Sequence, residues 1–268
     1  MTRIRLIVSG ATGAVGRTLV PQILAHEDFE LVGAIAGRSI GRDVGVALGL
    51  GEPVGVTIAP DFAAAIAGRT ADVLVDYSTS EAAARNGLAA LRAGVAVILG
   101  TTAVDAAAVE EMSRVAEERG VGLFLAPNLT LVGQVMFRCA DLIRPYFGDV
   151  EVVEFHNSAK RDAPSGTALE TAHRLDASRH PAETPDATAR GLPDARGAVS
   201  GGVHVHSVRL PSFYSRHELL FARPGEMLTV IADQFTTEPL VGPTLKAARL
   251  LMSVRGAVRD LPGLFDPD

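Results

Sequence analysis

The sequence predicts an α/β fold, with an N-terminal doubly wound parallel sheet and a second domain of α+β type. Up to residue 128, apolar runs of strand length alternate with helical stretches, which is typical of a parallel sheet covered by helices on both faces. After residue 202, three strand-like runs follow one another without helices between them, which favours an antiparallel or mixed sheet. The change of pattern therefore predicts two domains.

The composition favours chemistry on small molecules. The chain has 268 residues and a formal net charge of −6, with 47% hydrophobic and 21% charged residues. This composition is typical of a globular protein, and the charge gives no basic footprint for nucleic acid. No apolar run reaches the roughly 18 residues of a membrane span, and the single cysteine, Cys139, excludes an intrachain disulfide. We expect a soluble cytoplasmic protein with no nucleic-acid or membrane partner.

A glycine turn follows the first predicted strand. The segment "IRLIVSGATGAVGRTLVPQIL" combines an apolar strand, a turn with Gly10, Gly13 and Gly16, and a helix with one apolar side. The first glycine permits a tight turn, the second lets the backbone approach a pyrophosphate, and the third allows close packing of helix on strand. The position of this triplet predicts a dinucleotide site, and the alternative is that the glycines only end the strand.

The ends of the later strands bear on the choice of cofactor. The runs "ELVGAIA", "ADVLVDYS", "VAVILGTT" and "GLFLAPN" read as strands, with helices over 80–93 and 104–119 between the last three. At the end of the second strand, Gly37 and Arg38 stand where an acid would bind the ribose hydroxyls of NAD. An arginine there can pair with a 2′-phosphate, so the sequence favours NADPH over NADH. The alternative is that Arg38 is a solvated surface charge.

The stretch "AKRDAPSGTA" predicts a turn followed by a helix. Pro164 fixes one backbone angle of the turn, and Thr167 with Glu170 has the spacing of a capping box. The N–H groups of Ser165, Gly166 and Thr167 would then lie at the positive end of the helix, which suits an anion. An ordinary capped helix without a ligand is the alternative.

A histidine and a lysine precede this predicted helix. A helix over about 129–147 and the strand "DVEVVEFH" lead to His156, and Lys160 follows four residues later. The two cations beside a helix N-terminus predict a pocket for a dicarboxylate, with groups able to donate protons. His204 and His206 share one strand face, but no acid or cysteine is an obvious third ligand, so we expect no metal.

Two further segments complete the chain. Residues 176–202 are rich in Pro, Ala, Asp and Gly without periodicity, which predicts an exposed loop or lid. The last helix, within 239–258, is strongly apolar and is expected to return to the first domain. We therefore predict a dinucleotide-binding domain over 1–128 with a C-terminal return at 238–268, and a substrate-binding and oligomerisation domain over 129–237.

Together these motifs resemble the dihydrodipicolinate reductase family. The most specific match is "EFHNSAKRDAPSGTA", residues 154–168, against the family pattern E-x-H-H-x-x-K-x-D-A-P-S-G-T-A. Supporting matches are "GATGAVGR", "GTT" at 100–102, "APN" at 126–128 and "HSVRLP" at 206–211. The resemblance spans nearly the whole chain, with the motifs in the family's order.

The resemblance implies a fold, a reaction and an assembly. The family binds NADH or NADPH on a Rossmann-type N-terminal domain and substrate on the second domain, and it closes a hinge between them. It reduces 4-hydroxy-tetrahydrodipicolinate to tetrahydrodipicolinate with loss of water, in diaminopimelate and lysine biosynthesis. The family is usually a homotetramer assembled through the substrate domains.

The resemblance also implies roles for single residues. His156 matches a proton donor or acceptor, Lys160 matches a lysine that donates a proton and holds a carboxylate, and Ser165, Gly166 and Thr167 match the substrate-carboxylate loop. Positions that match the family's cofactor contacts are Gly10, Ala11, Thr12, Gly13, Ala14, Val15, Gly37, Arg38, Gly100, Thr101, Thr102, Ala126, Pro127, Asn128 and Leu129.

Three departures from the family pattern keep alternatives open. Asn157 stands where the family has a second, substrate-contacting histidine, and it cannot carry a positive charge. Ala103 replaces a glycine after "GTT", and Thr130 replaces a serine. The departure at Asn157 leaves open a related NADPH-dependent reductase of another cyclic imine or keto acid. A third interpretation, from another class, is a non-catalytic NADP-sensing protein.

Overall fold

The computed structural model describes residues 3–175 and 195–266. Its internal contacts divide the chain into two compact units. The first comprises Met1–Leu129 and Thr237–Asp268, and the second comprises Thr130–Thr236. Within the described residues, none of the helices has the length and apolar character needed to cross a membrane.

The first unit is built on a seven-stranded parallel sheet. Its strands are β1 (Ile4–Ser9), β2 (Phe29–Ile35), β3 (Ile58–Ala59), β4 (Val73–Asp76), β5 (Ala96–Leu99), β6 (Gly122–Leu125) and β12 (Gly256–Val258). They lie in the order β12-β6-β5-β4-β1-β2-β3, and every neighbouring pair is parallel. The predicted parallel sheet is confirmed.

Helices cover both faces of this sheet. They are α1 (Ala14–Ala25), α2 (Val44–Leu48), α3 (Phe62–Ile66), α4 (Ser80–Arg92), α5 (Ala106–Arg119) and α8 (Val241–Leu251). Successive residues of β1 alternate between two buried clusters: Leu6 and Val8 pack on the side of α1 and α8, and Ile7 packs on the side of α4 and α5. Both faces of the sheet are buried, which explains why the strands are continuously apolar in the sequence.

In the described part of the second unit, a five-stranded mixed sheet packs with two α-helices. The strands are β7 (Asp149–His156), β8 (Ala198–Ser200), β9 (Val203–Arg209), β10 (Ser215–Arg223) and β11 (Glu226–Gln234), in the order β11-β10-β7-β9-β8. β7 and β9 are parallel, and the other pairs are antiparallel. Helices α6 (Leu131–Ile143) and α7 (Gly166–Leu175) pack with Val152, Val205 and Phe221 into one core. The predicted second α+β fold is confirmed.

One loop prediction is partly wrong. Residues 176–202 were expected to be a loop, but Ala198–Ser200 form β8, which pairs antiparallel with β9. Gly201 and Gly202 connect the two strands, with φ angles of +57° and +76°. Two successive glycines at positive φ permit the tight turn that a hairpin requires. Residues 176–194 of the predicted loop or lid lie outside the described residues.

Candidate active site

A pocket of about 410 Å³ lies in the first unit, at the carboxyl ends of β1, β2 and β4. Ligands of doubly wound sheets bind at this edge. Of the residues predicted to contact the cofactor, those that line the pocket are Gly10, Thr12, Gly13, Gly37 and Arg38. Its further lining includes Tyr77, Ser78, Thr79, Arg85 and Asn86.

The glycine turn has no room for side chains at Gly10 and Gly16, so only backbone groups can face a ligand there. Gly10 has a φ of +84°, and a Cβ atom there would lie 2.3 Å from the carbonyl oxygen of Tyr77. A Cβ atom on Gly16 would lie 2.3 Å from the carbonyl oxygen of Gly10, so this glycine packs the helix against the turn. Gly13 is the N-cap of α1 and offers no capping side chain. The turn and the helix N-terminus together form a cradle that suits an anionic phosphate.

A buried carboxylate supports the rim of this pocket. Asp76 ends β4 and is fully buried. It accepts hydrogen bonds from the Ser78 backbone N–H at 3.0 Å and from the Ser78 hydroxyl at 2.9 Å. The Thr101 hydroxyl donates to the same carboxylate at 2.6 Å. Asp76 therefore joins the loop after β4 to the loop after β5. Asp76 was not among the residues predicted from the sequence, although an acid at the end of an apolar run is a visible signal.

The other predicted cofactor residues do not line this pocket. Ala11 is buried in the core, and Ala14 and Val15 belong to the first turn of α1. Gly100 lies against the Tyr77 ring, where a Cβ atom would be 2.4 Å from Cε1. The Thr102 carbonyl accepts a hydrogen bond from Ser80 at 3.4 Å. At the carboxyl end of β6, the chain continues through Ala126, Pro127, Asn128 and Leu129, of which Ala126 and Leu129 are buried in the core.

In the second unit, strand register brings a polar cluster together at the end of the core. On β7, Val152 faces the helices, so Glu154 and His156 face the same side. The residues directly opposite Glu154 are Ser207 on β9 and His217 on β10. Arg209 lies opposite His156. His156 was identified from the sequence. Ser207, His217 and Arg209 were not, because only the strand pairing brings them next to Glu154 and His156.

Glu154 is the centre of this cluster. Its carboxylate is fully buried; Oε2 contacts Nδ1 of His156, and Oε1 lies 2.7 Å from Nη2 of Arg209. Burial raises the pKa of Glu154, but hydrogen bonds from His156, Arg209 and Ser207 outweigh it and hold that pKa well below its usual range. Glu154 is therefore ionised at neutral pH.

Ser165 connects the cluster to α7. α7 begins at Gly166, and the Ser165 hydroxyl accepts a hydrogen bond from the Ala168 N–H at 3.2 Å. The N-cap is therefore Ser165, and the predicted capping box of Thr167 with Glu170 is wrong, because the Ser165 hydroxyl reaches the first turn two residues earlier. The Ser165 N–H donates to Oε1 of Glu154 at 3.3 Å, so it is not available to a ligand. Gly166 and Thr167 form the first turn of the helix.

Lys160 and Asn157 lie in the loop between β7 and α7. The Lys160 ammonium is 2.8 Å from Oδ1 of Asp162. Asn157 is exposed, but its amide accepts from the Ala159 N–H at 2.9 Å and donates to the Pro211 carbonyl at 3.0 Å. Its side chain thus binds its own turn and the loop after β9. The Ala163–Pro164 peptide bond is cis.

Two histidine groups invite a test for metal ligation. Ligand atoms of Glu154, His156 and His217 lie within 4.8 Å of one another. The Arg209 guanidinium contacts the same carboxylate, and a fixed positive charge there disfavours a second cation. Nε2 of His206 lies 2.8 Å from Oε2 of Glu151. His204, two residues earlier on β9, is buried. In the described residues, these two form no metal cluster with an acid or cysteine.

Comparison with known proteins gives one consistent result along the chain. The family model described as "Dihydrodipicolinate reductase, N-terminus" matches residues 4–129, and "Dihydrodipicolinate reductase, C-terminus" matches residues 129–264. The 4-hydroxy-tetrahydrodipicolinate reductase of Moorella thermoacetica is 36% identical over 263 residues, 98% of each chain. The protein of the same name from Desulfitobacterium hafniense is 38% identical over 274 residues, 99% of this chain and 100% of its own.

Solved structures show the same similarity. Dipicolinate-bound dihydrodipicolinate reductase from Paenisporosarcina sp. TG-14 matches with a TM-score of 0.74 and 27% identity, over 97% of this chain and 98% of that chain. Amine dehydrogenase from Mycobacterium smegmatis matches with a TM-score of 0.64 and 16% identity, over 95% and 94% of the two chains. The second similarity shows the fold alone.

Proposed function

This chain belongs to the dihydrodipicolinate reductase family, and on that premise we propose that it reduces 4-hydroxy-tetrahydrodipicolinate to tetrahydrodipicolinate with NAD(P)H. The reaction consumes one hydride and one proton and releases one water. It belongs to diaminopimelate and lysine biosynthesis. The observation that carries the proposal is the set of basic side chains His156, Lys160 and Arg209 near the start of α7. Arg209 pairs with Glu154, so a dicarboxylate would be held by Lys160, once it leaves Asp162, and by the helix N-terminus.

His156 and Lys160 are the proposed catalytic residues. The carboxylate of Glu154 engages Nδ1 of His156, which leaves Nε2 to exchange a proton with the substrate. The Lys160 ammonium can leave Asp162 to hold a substrate carboxylate and donate a proton. Ser165, Gly166 and Thr167 bind the other carboxylate, with Gly166 and Thr167 offering the backbone of a helix N-terminus and Ser165 its hydroxyl.

The first unit is the proposed cofactor-binding domain, with its C-terminal return, and the second is the substrate domain. When bound, the reduced nicotinamide supplies the hydride. The cradle at Gly10 and Gly13 fits the pyrophosphate, because a side chain at Gly10 would clash with Tyr77. The other proposed contacts are Ala11, Thr12, Ala14, Val15, Gly37, Arg38, Gly100, Thr101, Thr102, Ala126, Pro127, Asn128 and Leu129.

NADPH is the proposed preferred cofactor. Arg38 lines the pocket at the end of β2, and Arg85 on α4 lines the same pocket. Two guanidinium groups without an acid at the end of β2 suit a 2′-phosphate better than free ribose hydroxyls. Arg85 is a second cation in the pocket that Arg38 lines, and the sequence did not place the two side chains together. It therefore strengthens the proposal made from Arg38.

The usual substrate remains the best interpretation despite Asn157. Its amide is hydrogen-bonded to the backbone of Ala159 and Pro211. These contacts within the loops account for the Asn157 side chain without a different substrate. The dipicolinate in the Paenisporosarcina enzyme is a planar dicarboxylate of the expected class. This supports the same class of substrate here.

We propose a homotetramer that assembles through the second unit. Met227 and Ile231 on the edge strand β11 are 71% and 53% exposed, and Phe235 just beyond it is 81% exposed. Exposed apolar side chains on the edge strand of a sheet mark an interaction surface. Light scattering should report four copies in the wild type and fewer in Ile231→Asp. A wild type that is monomeric at micromolar concentration would refute this assembly.

Replacement of Lys160 tests the proposed reaction. NADPH and the freshly formed condensation product of pyruvate and aspartate semialdehyde are supplied, and cofactor absorbance is followed. The wild type should oxidise NADPH, whereas Lys160→Ala should lose about 100-fold or more in kcat and still bind NADPH. Lys246→Ala, in α8 of the first unit, is the matched control and should keep wild-type turnover. No oxidation by the wild type would refute the function.

A further inference from the structure

We propose that Glu154 is a positioning residue for this reaction: its buried carboxylate keeps a proton on Nδ1 of His156, so that Nε2 is the atom that exchanges a proton with the substrate. The inference rests on the proposed function and goes beyond it, because Glu154 touches neither substrate nor cofactor in this scheme. It acts through His156, Arg209 and the start of α7.

Glu154 lies in the interior of the second sheet. It lies on the central strand β7, between Ser207 of β9 and His217 of β10, and its side chain is fully buried. A buried carboxylate without partners is strongly destabilising or shifts to its neutral form. The partners around Glu154 are therefore what keeps it charged in this place.

The two oxygens of the Glu154 carboxylate have different partners. Oε1 accepts from Nη2 of Arg209 at 2.7 Å and from the Ser165 N–H at 3.3 Å. Neither of these groups can accept a hydrogen bond, so Oε1 must always be an acceptor. The second oxygen, Oε2, consequently faces Nδ1 of His156.

The contact with Oε2 determines which nitrogen of the His156 imidazole carries a proton. Facing a carboxylate oxygen, Nδ1 must carry a proton, whether His156 is neutral or charged. Nε2 alone then gains and loses a proton, as an acid–base group at a reacting centre must do. The same carboxylate also ties Arg209 to Ser165, and Nη2 of Arg209 donates to the Asp162 carbonyl at 2.5 Å. The Glu154 side chain thus links β7 to β9 and, through Arg209, to the loop that carries Lys160.

The charged groups around Glu154 bear on how the site binds a dicarboxylate. The groups that face Glu154 are His156 on its own strand, Arg209 on β9 and His217 on β10, with Lys160 nearby in the loop. Burial, followed by the charge of His156, lowers the pKa of His217 to about 3, so His217 is neutral. The Glu154 charge offsets that of Arg209, and Lys160, once it leaves Asp162, supplies the positive charge for a substrate carboxylate.

The substitution Glu154→Gln separates charge from shape. Because Arg209 and Ser165 require an acceptor, the amide oxygen must take the place of Oε1, and the amide NH2 then faces Nδ1. The amide donates to Nδ1, so the single proton of His156 moves to Nε2. A neutral imidazole in that state is too weak an acid to donate its proton. We expect kcat to fall about 100-fold or more, with the Kd for NADPH within twofold of wild type.

Nitrogen NMR of the histidine side chains reads the mechanism directly. The wild type should show a proton on Nδ1 of His156, and Glu154→Gln should show the proton on Nε2 only, with the signal assigned by its loss in His156→Asn. A wild-type signal with the proton on Nε2 only would overturn the proposal, even in an active enzyme and even if Glu154→Gln does not fold. Turnover of Glu154→Gln within twofold of wild type would also overturn it.

Glu151→Gln is the matched control. Glu151 lies on the same strand but faces the other side of the sheet, where it contacts His206 at 2.8 Å. Its replacement should change the His206 signal and leave both turnover and the His156 signal unchanged. An equal loss of turnover in both variants would show a general effect on β7 and refute the specific role. Failure of the wild type to turn over substrate refutes the proposed function, and the NMR result still decides the role of Glu154.

Discussion

The Nε2 atom of His217 lies 3.4 Å from the Oγ atom of Ser165, the N-cap of α7. Both side chains are buried, at 3% and 2% exposure. The rings of His217 and His156 also meet edge to face, with centroids 5.5 Å apart. His217 thus contacts both the N-cap of α7 and His156, the proposed proton donor. Because His217 is buried, the second unit should be sensitive to acid.

We predict that acid destabilises the second unit through His217. Burial, then the charge of His156, lowers the folded-state pKa of His217 to about 3, so the unfolded chain binds the proton first as the pH falls. The stability contributed by neutral His217 is complete above its unfolded pKa and is lost as the pH falls from about 6.5 toward 3. Urea unfolding followed by circular dichroism should show a loss of about 2 kcal/mol between pH 7 and pH 5.

The matched variants are His217→Gln and His173→Gln. The first removes the buried imidazole, and the second removes an exposed histidine of α7. The acid-induced loss of unfolding free energy should be smaller in His217→Gln and unchanged in His173→Gln. Equal acid sensitivity of wild type and His217→Gln would contradict the prediction.

We predict that Arg38 sets the preference for NADPH. In Arg38→Ala, a cation that lines the pocket is lost, and KM for NADPH should rise about 10-fold, which corresponds to about 1.4 kcal/mol. KM for NADH should stay within twofold, because NADH has no 2′-phosphate. Steady-state kinetics with both cofactors check this. Arg92→Ala on α4, which pairs with Glu111, is the control and should change neither KM.

The buried carboxylate of Asp76 should control cofactor affinity. In Asp76→Ala, no acceptor is left for the hydrogen bonds that Ser78 and Thr101 donate to Oδ1 of Asp76. Loss of buried hydrogen bonds costs about 1–3 kcal/mol, so the Kd for NADPH, measured by fluorescence titration, should rise about 10-fold. In the control Asp105→Ala, the N-cap of α5 is lost, which lowers stability but should leave the affinity unchanged. An unchanged Kd in Asp76→Ala would refute the role.

Ala103→Gly should stabilise the first unit. Ala103 is exposed and has a φ of +59°, a left-handed conformation that costs an alanine about 1–2 kcal/mol. Glycine adopts this conformation freely, so the free energy of unfolding should rise by about 1 kcal/mol. The control Ala93→Gly replaces an alanine with a φ of −81° and should lower it. Denaturant unfolding of both variants checks the sign.

Much of the fold follows from local patterns in the sequence. Continuous apolar strands such as β4 and β5 predict burial on both sheet faces, and the glycine turn predicts the start of α1. The predicted α7 cap failed because Ser165 and Thr167 are both good caps, and the choice between them depends on Glu154, which binds the Ser165 N–H. Two glycines at the end of the predicted loop were the missed signal for β8.

By itself, the sequence determined the α/β class and the family, and it identified His156 and Lys160 as chemically suited residues. These conclusions rest on short-range spacing, which local backbone geometry sets. The tertiary structure alone decided that Glu154, Arg209 and His217 surround His156, and that Arg85 joins Arg38. Such groupings depend on strand register and on which strands pair, and those are set by packing between segments far apart in the chain. The charge state of a buried group such as Glu154 or His217 follows from those neighbours.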